Sequence, residues 1–471
     1  MNIFRNRMLV GLFLLCFGCK SSKENEQKIN QSPNIIVILT DDQGYQDVGF
    51  NGSSDIKTPY LDEIANNGVK FTNAYVTYAV CGPSRAGLIT GRYQDRFGFS
   101  RNPLFTPKDS LSGLPLSEQT MAEALKIADY KTMAIGKWHL GAHESQRPLN
   151  RGFDEFFGFL LGGHKYFPEE YTLNDISEVK SQFDAYNTKL LKNDRRVEET
   201  EYLTDALSRE AVNFIDRNKD NPFFVYLAYN APHAPLQATE KYLSRYPDIK
   251  DDKRKTYAAM VTAVDDGVGE ILKTLRNLNI EENTLIVFLS DNGGALQHSA
   301  NNGKLRAGKS SLYEGGIRVP FAMQWKGAIP AGKVYEHPII SLDIFATAVS
   351  IAQVKPKNEL DGKNLLPFLE EGNIEKPHDS LFWKKVDAGS YAIRYGDLKL
   401  IQEKDGTQKL FNLSEDVSEK FNINETIQMK NLEEAFKALD EDNIPPAFLG
   451  LLQDKEYTEL NPDRYDDVEE Y

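Results

Sequence analysis

The sequence predicts an α/β fold: a mostly parallel central sheet covered by helices on both faces, followed by a small α+β domain. Three observations predict it. Short β-branched apolar runs at 33–40 (PNIIVILT), 222–229 (PFFVYLAY) and 284–290 (TLIVFLS) have the length and continuous hydrophobicity of strands buried on both sides. Between them lie stretches of helical spacing, notably 120–128 and 256–277, and strands that alternate with helices pair in parallel. The last hundred residues instead read as short strands joined by turns.

Taken in order, residues 1–19 read as an export signal. Arg5 and Arg7 precede an apolar stretch, 8–17, that is short for a membrane span. The stretch ends in Cys16-Phe17-Gly18-Cys19, similar to the bacterial lipobox, with Gly18 before the cut and Cys19 as the lipid-bearing residue. The polar run 20–32 (KSSKENEQKINQS) reads as a flexible tether. These segments predict an exported protein, held by a lipid anchor at a membrane, in the periplasm or at the outer membrane. A plain signal peptide cleaved nearby is the alternative. Residues 33–375 form the predicted large domain and 376–471 the small one. In the latter, strands at 380–385, 391–402 and 409–413 are punctuated by turns at Gly396-Asp397 and Asp405-Gly406, and a helix follows at 432–439. The acidic end DRYDDVEEY reads as a solvated or loosely docked tail.

The chain has 471 residues and a formal net charge of −14. Without a basic stripe to displace counterions from phosphates, it is not a nucleic-acid binder. An anionic substrate requires a basic pocket set into this acidic surface. Of three cysteines, two belong to the export segment. Cys81 is therefore the one thiol of the mature body, which leaves no intradomain disulfide.

All three apolar runs end in polar residues: Asp41-Asp42, Asn230-Ala231-Pro232-His233 and Asp291-Asn292-Gly293-Gly294. Ligands of parallel sheets collect beyond the carboxyl ends of the strands. Asp41, Asp42, Asp291 and Asn292 supply hard oxygen donors suited to Ca2+ or Mg2+ and unsuited to soft metals. One Asp after a strand is more often a helix cap than a ligand. Two pairs at separate strand ends, together with the Cys81 segment, reverse that expectation.

The Cys81 segment is CGPSRAGLITGR, residues 81–92. Its C-x-P-S-R and following T-G resemble the signature of type I sulfatases; six fixed residues arise by chance in on the order of one chain in 10^5 or fewer. The resemblance extends over nearly the whole mature chain. It implies the alkaline-phosphatase-like α/β/α fold and hydrolysis of sulfate esters. It also implies oxidation of Cys81 to formylglycine by a dedicated maturase. A thiolate attacking sulfur would leave an adduct with no easy exit. A hydrated aldehyde has two hydroxyls, one to attack and one whose deprotonation expels sulfate. Pro83 suits the first turn of a helix, whose dipole favours an anionic nucleophile. By the same resemblance, Arg85 stabilises the hydrate, and Asp41, Asp42, Asp291 and Asn292 hold one Ca2+ together with the Cys81-derived oxygen.

A second similar segment is GKWHLG, 136–141, in which Lys137 and His139 point to the same side if the stretch is a strand. The resemblance assigns Lys137 to the sulfate and makes His139 the base that releases it. His233, in NAPHAP, is assigned as general acid at the leaving oxygen. Lys309, in AGKSSLYEGGIRVP, clamps the sulfate and shares that proton. His164, in GGHKYF, is read as substrate-facing. The rival readings are a phosphomonoesterase or phosphodiesterase of the same superfold, and a non-catalytic glycan-binding lipoprotein. Against the first, Asn292 stands where those enzymes have a metal-binding His; against the second, every matched position is filled. Export and a tether point to sulfated carbohydrate as substrate, algal polysaccharide such as ulvan or carrageenan first and glycosaminoglycan next.

Overall fold

The run PNIIVILT forms strand β1 (Asn34–Thr40), buried at every position. Ile35, Val37 and Leu39 enter one apolar cluster and Ile36 and Ile38 another. Side chains that alternate with period two thus give the sheet two apolar faces, both of which need covering. The computed structural model describes residues 32–468, so the export signal, Cys19 and nearly all of the tether lie outside the described residues. The same pattern builds β2 (Lys131–Lys137), β3 (Glu155–Phe159), β4 (Phe223–Ala228) and β5 (Thr284–Ser290). These five run parallel in the order β5-β1-β4-β2-β3. The sheet continues to ten strands, with Phe321–Gln324 antiparallel beside β5 and Leu190–Lys192 antiparallel beside β3.

Helix α1 (Cys81–Thr90), with Met121–Lys126 and Asp343–Ile351, covers the first face. Helices α2 (Leu203–Asn218) and α3 (Asp252–Asn277) cover the second. The predicted helix at 120–128 starts where its sequence dictates. The Thr120 hydroxyl accepts from the Glu123 amide at 3.1 Å, and the Glu123 carboxylate accepts from the Thr120 amide at 2.8 Å. This reciprocal cap satisfies two otherwise unpaired donors.

Four antiparallel strands form the C-terminal sheet: β6 (Ser380–Lys385), β7 (Ser390–Tyr395), β8 (Leu398–Gln402) and β9 (Gln408–Asn412). Helix α4 (Thr426–Asp440) packs on it. Gly396 and Gly406, at φ 57° and 84°, occupy the left-handed region at the turns that the sequence marks. The other face joins the large domain: Trp383, Ile401 and Phe411 share an apolar cluster with Tyr75, Ile317 and Leu342. Lys399 Nζ sits between Glu314 (2.8 Å) and Glu419 (2.9 Å), all three fully buried. Removing one partner of such a buried group strands the others' charge and costs about 3–5 kcal/mol, so the small sheet is firmly tied to the large one.

Of the two forms expected for the tail, solvated or loosely docked, the structure shows a docked one. Arg464 and Val468 are buried. Arg464 donates to Gln182 Oε1 at 3.0 Å and pairs with Asp454 at 2.7 Å, while Val468 enters an apolar cluster with Phe105 and Val179. One arginine with three partners, Thr458 at 2.9 Å being the third, and one apolar residue hold this end of the segment in place. Residues 469–471 lie outside the described residues.

Candidate active site

β1 delivers Asp41 and Asp42 at its carboxyl end, and β5, its neighbour, delivers Asp291 and Asn292. Asp42 takes φ 64°, a left-handed conformation that aspartate tolerates better than most residues. One ligand atom each from Asp41, Asp42, Cys81 and Asp291 lies within 4.8 Å of all the others. All four residues are buried.

Cys81 opens α1, whose ten residues are all buried. The Gly82 amide donates to Asn102 Oδ1 at 2.8 Å, so Asn102 caps the helix from another loop. The Cys81 thiol lies 3.5 Å from Asp41 Oδ1 and 3.4 Å from Lys309 Nζ. Burial, and then the Asp41 carboxylate, push the thiol up to about 12.

Three cations face the three carboxylates. Arg85 donates through Nε to Asp291 at 2.9 Å, with Nη2 2.8 Å from the same carboxylate oxygen, and through Nη1 to the Lys137 carbonyl at 3.0 Å. Lys137 Nζ pairs with Asp41. Lys309 Nζ pairs with both Asp42 oxygens, at 2.7 and 2.8 Å. Burial works against the Asp42 charge, but Lys309 and His233 outweigh it and hold the carboxyl below its usual range. Burial and the neighbouring Asp41 push Asp291 upward against the pull of Arg85. Lys309 is held well above its ordinary value because Asp42 more than offsets burial.

Lys137 closes β2, but His139 does not continue the strand. It takes φ 58°, so the shared orientation expected from a pleat comes from a turn. His139 lines the cavity, and its Nδ1 is buried without a partner. Burial, then Lys137 and Arg85, keep it neutral by lowering it well below the usual histidine value. His233 places Nε2 3.8 Å from Asp42, with Nδ1 2.6 Å from the Ala234 carbonyl. Burial and Lys309 lower it to about 3.

His164 does not face substrate. It is fully buried and does not line the cavity; Nδ1 lies 2.9 Å from the Lys165 carbonyl and Nε2 2.8 Å from that of Thr188. It braces its loop from inside. The functional part of GGHKYF is Gly162, which lines the cavity: a Cβ there would lie 2.9 Å from the His139 ring.

The donors fit a hard divalent cation such as Ca2+ or Mg2+. Three carboxylates converge, and the Asn292 Oδ1 is buried without a partner while its Nδ2 donates to Asp42 at 2.8 Å. Three carboxylates against Arg85, Lys137 and Lys309 make a neutral cluster. A divalent ion adds positive charge that an anionic substrate offsets.

The family described as Sulfatase matches residues 33–354. The chain belongs to the sulfatase family. Residues 307–443 also match the family described as N-sulphoglucosamine sulphohydrolase, C-terminal. The sulfatase is 36% identical over 362 residues to N-acetylgalactosamine-6-sulfatase of Homo sapiens, covering 73% of this chain and 67% of that one. Among solved structures, Ps i-CgsB in complex with k-i-k-neocarrahexaose is 41% identical with a TM-score of 0.85, covering 93% of this chain and 100% of the other. PsFucS1 sulfatase from Pseudoalteromonas sp. is 26% identical with a TM-score of 0.73, covering 88% and 90%. The fold is alkaline-phosphatase-like, and the activity is that of a sulfuric ester hydrolase.

Several residues of the site escape sequence reasoning. The cavity, about 470 Å3, takes Arg101, Asn102, Tyr186, Lys385, Lys404 and Leu452 into its walls. None sits in a recognisable motif, and the last three reach the site only through docking of the C-terminal sheet and tail.

Proposed function

We propose that this sulfatase removes sulfate from oligosaccharides of sulfated polysaccharides, with a formylglycine made from Cys81 and one Ca2+ held by Asp41, Asp42, Asp291 and Asn292. The observation that carries the reading is the position of Cys81. It sits on the first turn of α1 against three carboxylates and three cations, as a thiol pushed up to about 12. A buried, protonated thiol is a poor nucleophile, so the position calls for a converted side chain. When present, the aldehyde hydrate supplies the attacking hydroxyl and the ion screens sulfate charge.

The chain's own residues do the rest. Lys309, 3.4 Å from the Cys81 thiol, and Lys137, paired with Asp41, bind the sulfate oxygens. Arg85, locked by Asp291 and the Lys137 carbonyl, holds the floor of the site rigid and donates toward the nucleophile. Neutral His139, with Nδ1 free, accepts the proton whose removal releases sulfate. His233, at the cavity wall beside Asp42, is neutral without substrate, and the negative charge of a bound sulfate favours the protonated form that serves the leaving oxygen. Both groups of metal-capable residues among the described ones share Asp41 and Cys81, which supports one ion rather than the two of a phosphoesterase.

Carrageenan heads the list of substrates, because the relative described with k-i-k-neocarrahexaose is 41% identical over nearly the whole chain. Ulvan follows, and then glycosaminoglycans, given the N-acetylgalactosamine-6-sulfatase relative. Release of inorganic sulfate from a panel of defined sulfated oligosaccharides tests this. Turnover of simple aryl sulfates alone, with none of the saccharides cut, rules it out. Export and a lipid anchor at Cys19 belong to the same proposal. Labelled palmitate should enter the wild-type chain and not Cys19→Ala; equal labelling of both removes the anchor.

His233 has its own test. An aryl sulfate leaves as a stable phenolate and needs little protonation, whereas a sugar alkoxide needs much. His233→Ala is expected to lose about 10^2-fold more kcat on a sulfated oligosaccharide than on nitrophenyl sulfate. Equal losses would transfer the acid's role to Lys309.

A further inference from the structure

The cavity carries more positive charge than one sulfate ester uses. Four cations line it, Arg101, Lys309, Lys385 and Lys404, against one carboxylate, Asp387. This happens in a chain of net charge −14. Arg101 and Asp387 neutralise each other: Nε lies 3.0 Å from both carboxylate oxygens and Nη2 2.5 Å from one. Lys309 is committed to Asp42 and Cys81. Two lysines are left over, and both come from the C-terminal sheet.

Lys385, the last residue of β6, is half-buried and donates to the Ser310 carbonyl at 2.6 Å. Ser310 follows Lys309 directly, so Lys385 stands one residue from the lysine that touches Cys81. Lys404 is exposed, in the turn after β8, and has no carboxylate partner among the described residues. Of the two acids that flank it in sequence, Glu403 is engaged by the Tyr313 hydroxyl (2.6 Å) and Lys409 (3.2 Å), and Asp405 accepts from the Thr407 amide at 2.9 Å. An ammonium placed in a concave wall without a counter-ion is an electrostatic trap for anions. The volume, about 470 Å3, falls within the roughly 300–1,000 Å3 of sites that hold drug-sized ligands, which leaves room beyond the reacting ester.

We propose that Lys385 and Lys404 form a second anion subsite, which holds a negative group of the substrate other than the ester being cleaved. The inference rests on the sulfatase reading of the Cys81 centre. It makes the preferred substrate a saccharide with at least two negative charges, the second a sulfate or a uronate carboxylate. The small C-terminal sheet then contributes to specificity as well as to stability.

The test separates binding from turnover. Calorimetric Kd values are measured on Cys81→Ser protein for three disaccharides that share the ester to be cleaved. One has a neutral neighbouring sugar, one a second sulfate there, and one a carboxylate. The charged ligands should bind about tenfold more tightly than the neutral one, the gain of a charge-assisted contact. Lys404→Gln, at an exposed position where folding is not at issue, should reduce that preference severalfold, and Lys385→Gln/Lys404→Gln should remove it. Added salt should weaken it in the protein with both lysines. A preference for sulfate over carboxylate, or equal binding of the two, names the source of the charge, and either result supports the subsite. Equal binding of neutral and charged disaccharides, or a preference that survives in the double variant, overturns it. Turnover of nitrophenyl sulfate by the wild-type enzyme is read separately, because its failure strikes the Cys81 chemistry and leaves the binding comparison intact.

Discussion

Cys81→Ser is expected to lower sulfate release by on the order of 10^4-fold or more, the scale seen when an enzyme's nucleophile is removed. Its stability should change by less than about 1.5 kcal/mol, since the exchange nearly conserves volume. The hydroxyl would also meet polar partners where the thiol now lies, 3.5 Å from Asp41 and 3.4 Å from Lys309. Retained folding with lost activity therefore isolates chemistry from structure. Intact-mass analysis of the active wild-type enzyme should show the aldehyde or its hydrate at position 81. An active preparation that carries only unmodified Cys81 would sink the proposed nucleophile.

Chelation followed by dialysis should remove activity, and Ca2+ should restore it. The ion also has a readout independent of turnover. A ligand that binds only the folded state at about 100 times its Kd adds about 2.7 kcal/mol of stability, so the wild-type melting temperature should rise with Ca2+. Asp291→Asn keeps the shape of the side chain while removing one of three converging charges, and should lose most of that rise. Asp291→Ala is a poorer probe. It removes the carboxylate that pairs with the fully buried Arg85, at a cost of about 3–5 kcal/mol regardless of any ion. If Ca2+ stabilises Asp291→Asn as much as the wild type, Asp291 is not a ligand.

Much of this architecture is legible in the chain because its signals are local. β1, β4 and β5 announce themselves as continuous apolar runs, since strands covered on both faces have no polar side to hide. The acidic cluster is legible for the same reason: the runs stop at Asp41-Asp42 and Asp291-Asn292, and parallel pairing of β1 with β5 makes their ends meet. What fails is what depends on turns and on docking. His139 reads as the next position of a strand, yet the backbone goes left-handed there. His164 reads as substrate-facing beside a Gly-Gly pair, yet its ring turns inward to two carbonyls. Lys385 and Lys404 look like ordinary surface lysines until the C-terminal sheet is placed against Ser310. The tail reads as solvated or loosely docked from its charge, and which of the two it is turns on one buried arginine and one valine that leave no periodic trace.

The late position of one cavity wall bears on timing. Every residue of the Cys81 centre, up to Lys309, precedes the C-terminal sheet in the chain, whereas Leu451, Leu452 and Gln453 close the cavity from near its end. A chain made from its N-terminus thus acquires its chemical groups first and its enclosure last. Once folded, Cys81 is 2% exposed and its helix is buried throughout. If Cys81 is converted as proposed, the modifying enzyme works within an interval that the docking of residues 451–453 brings to an end.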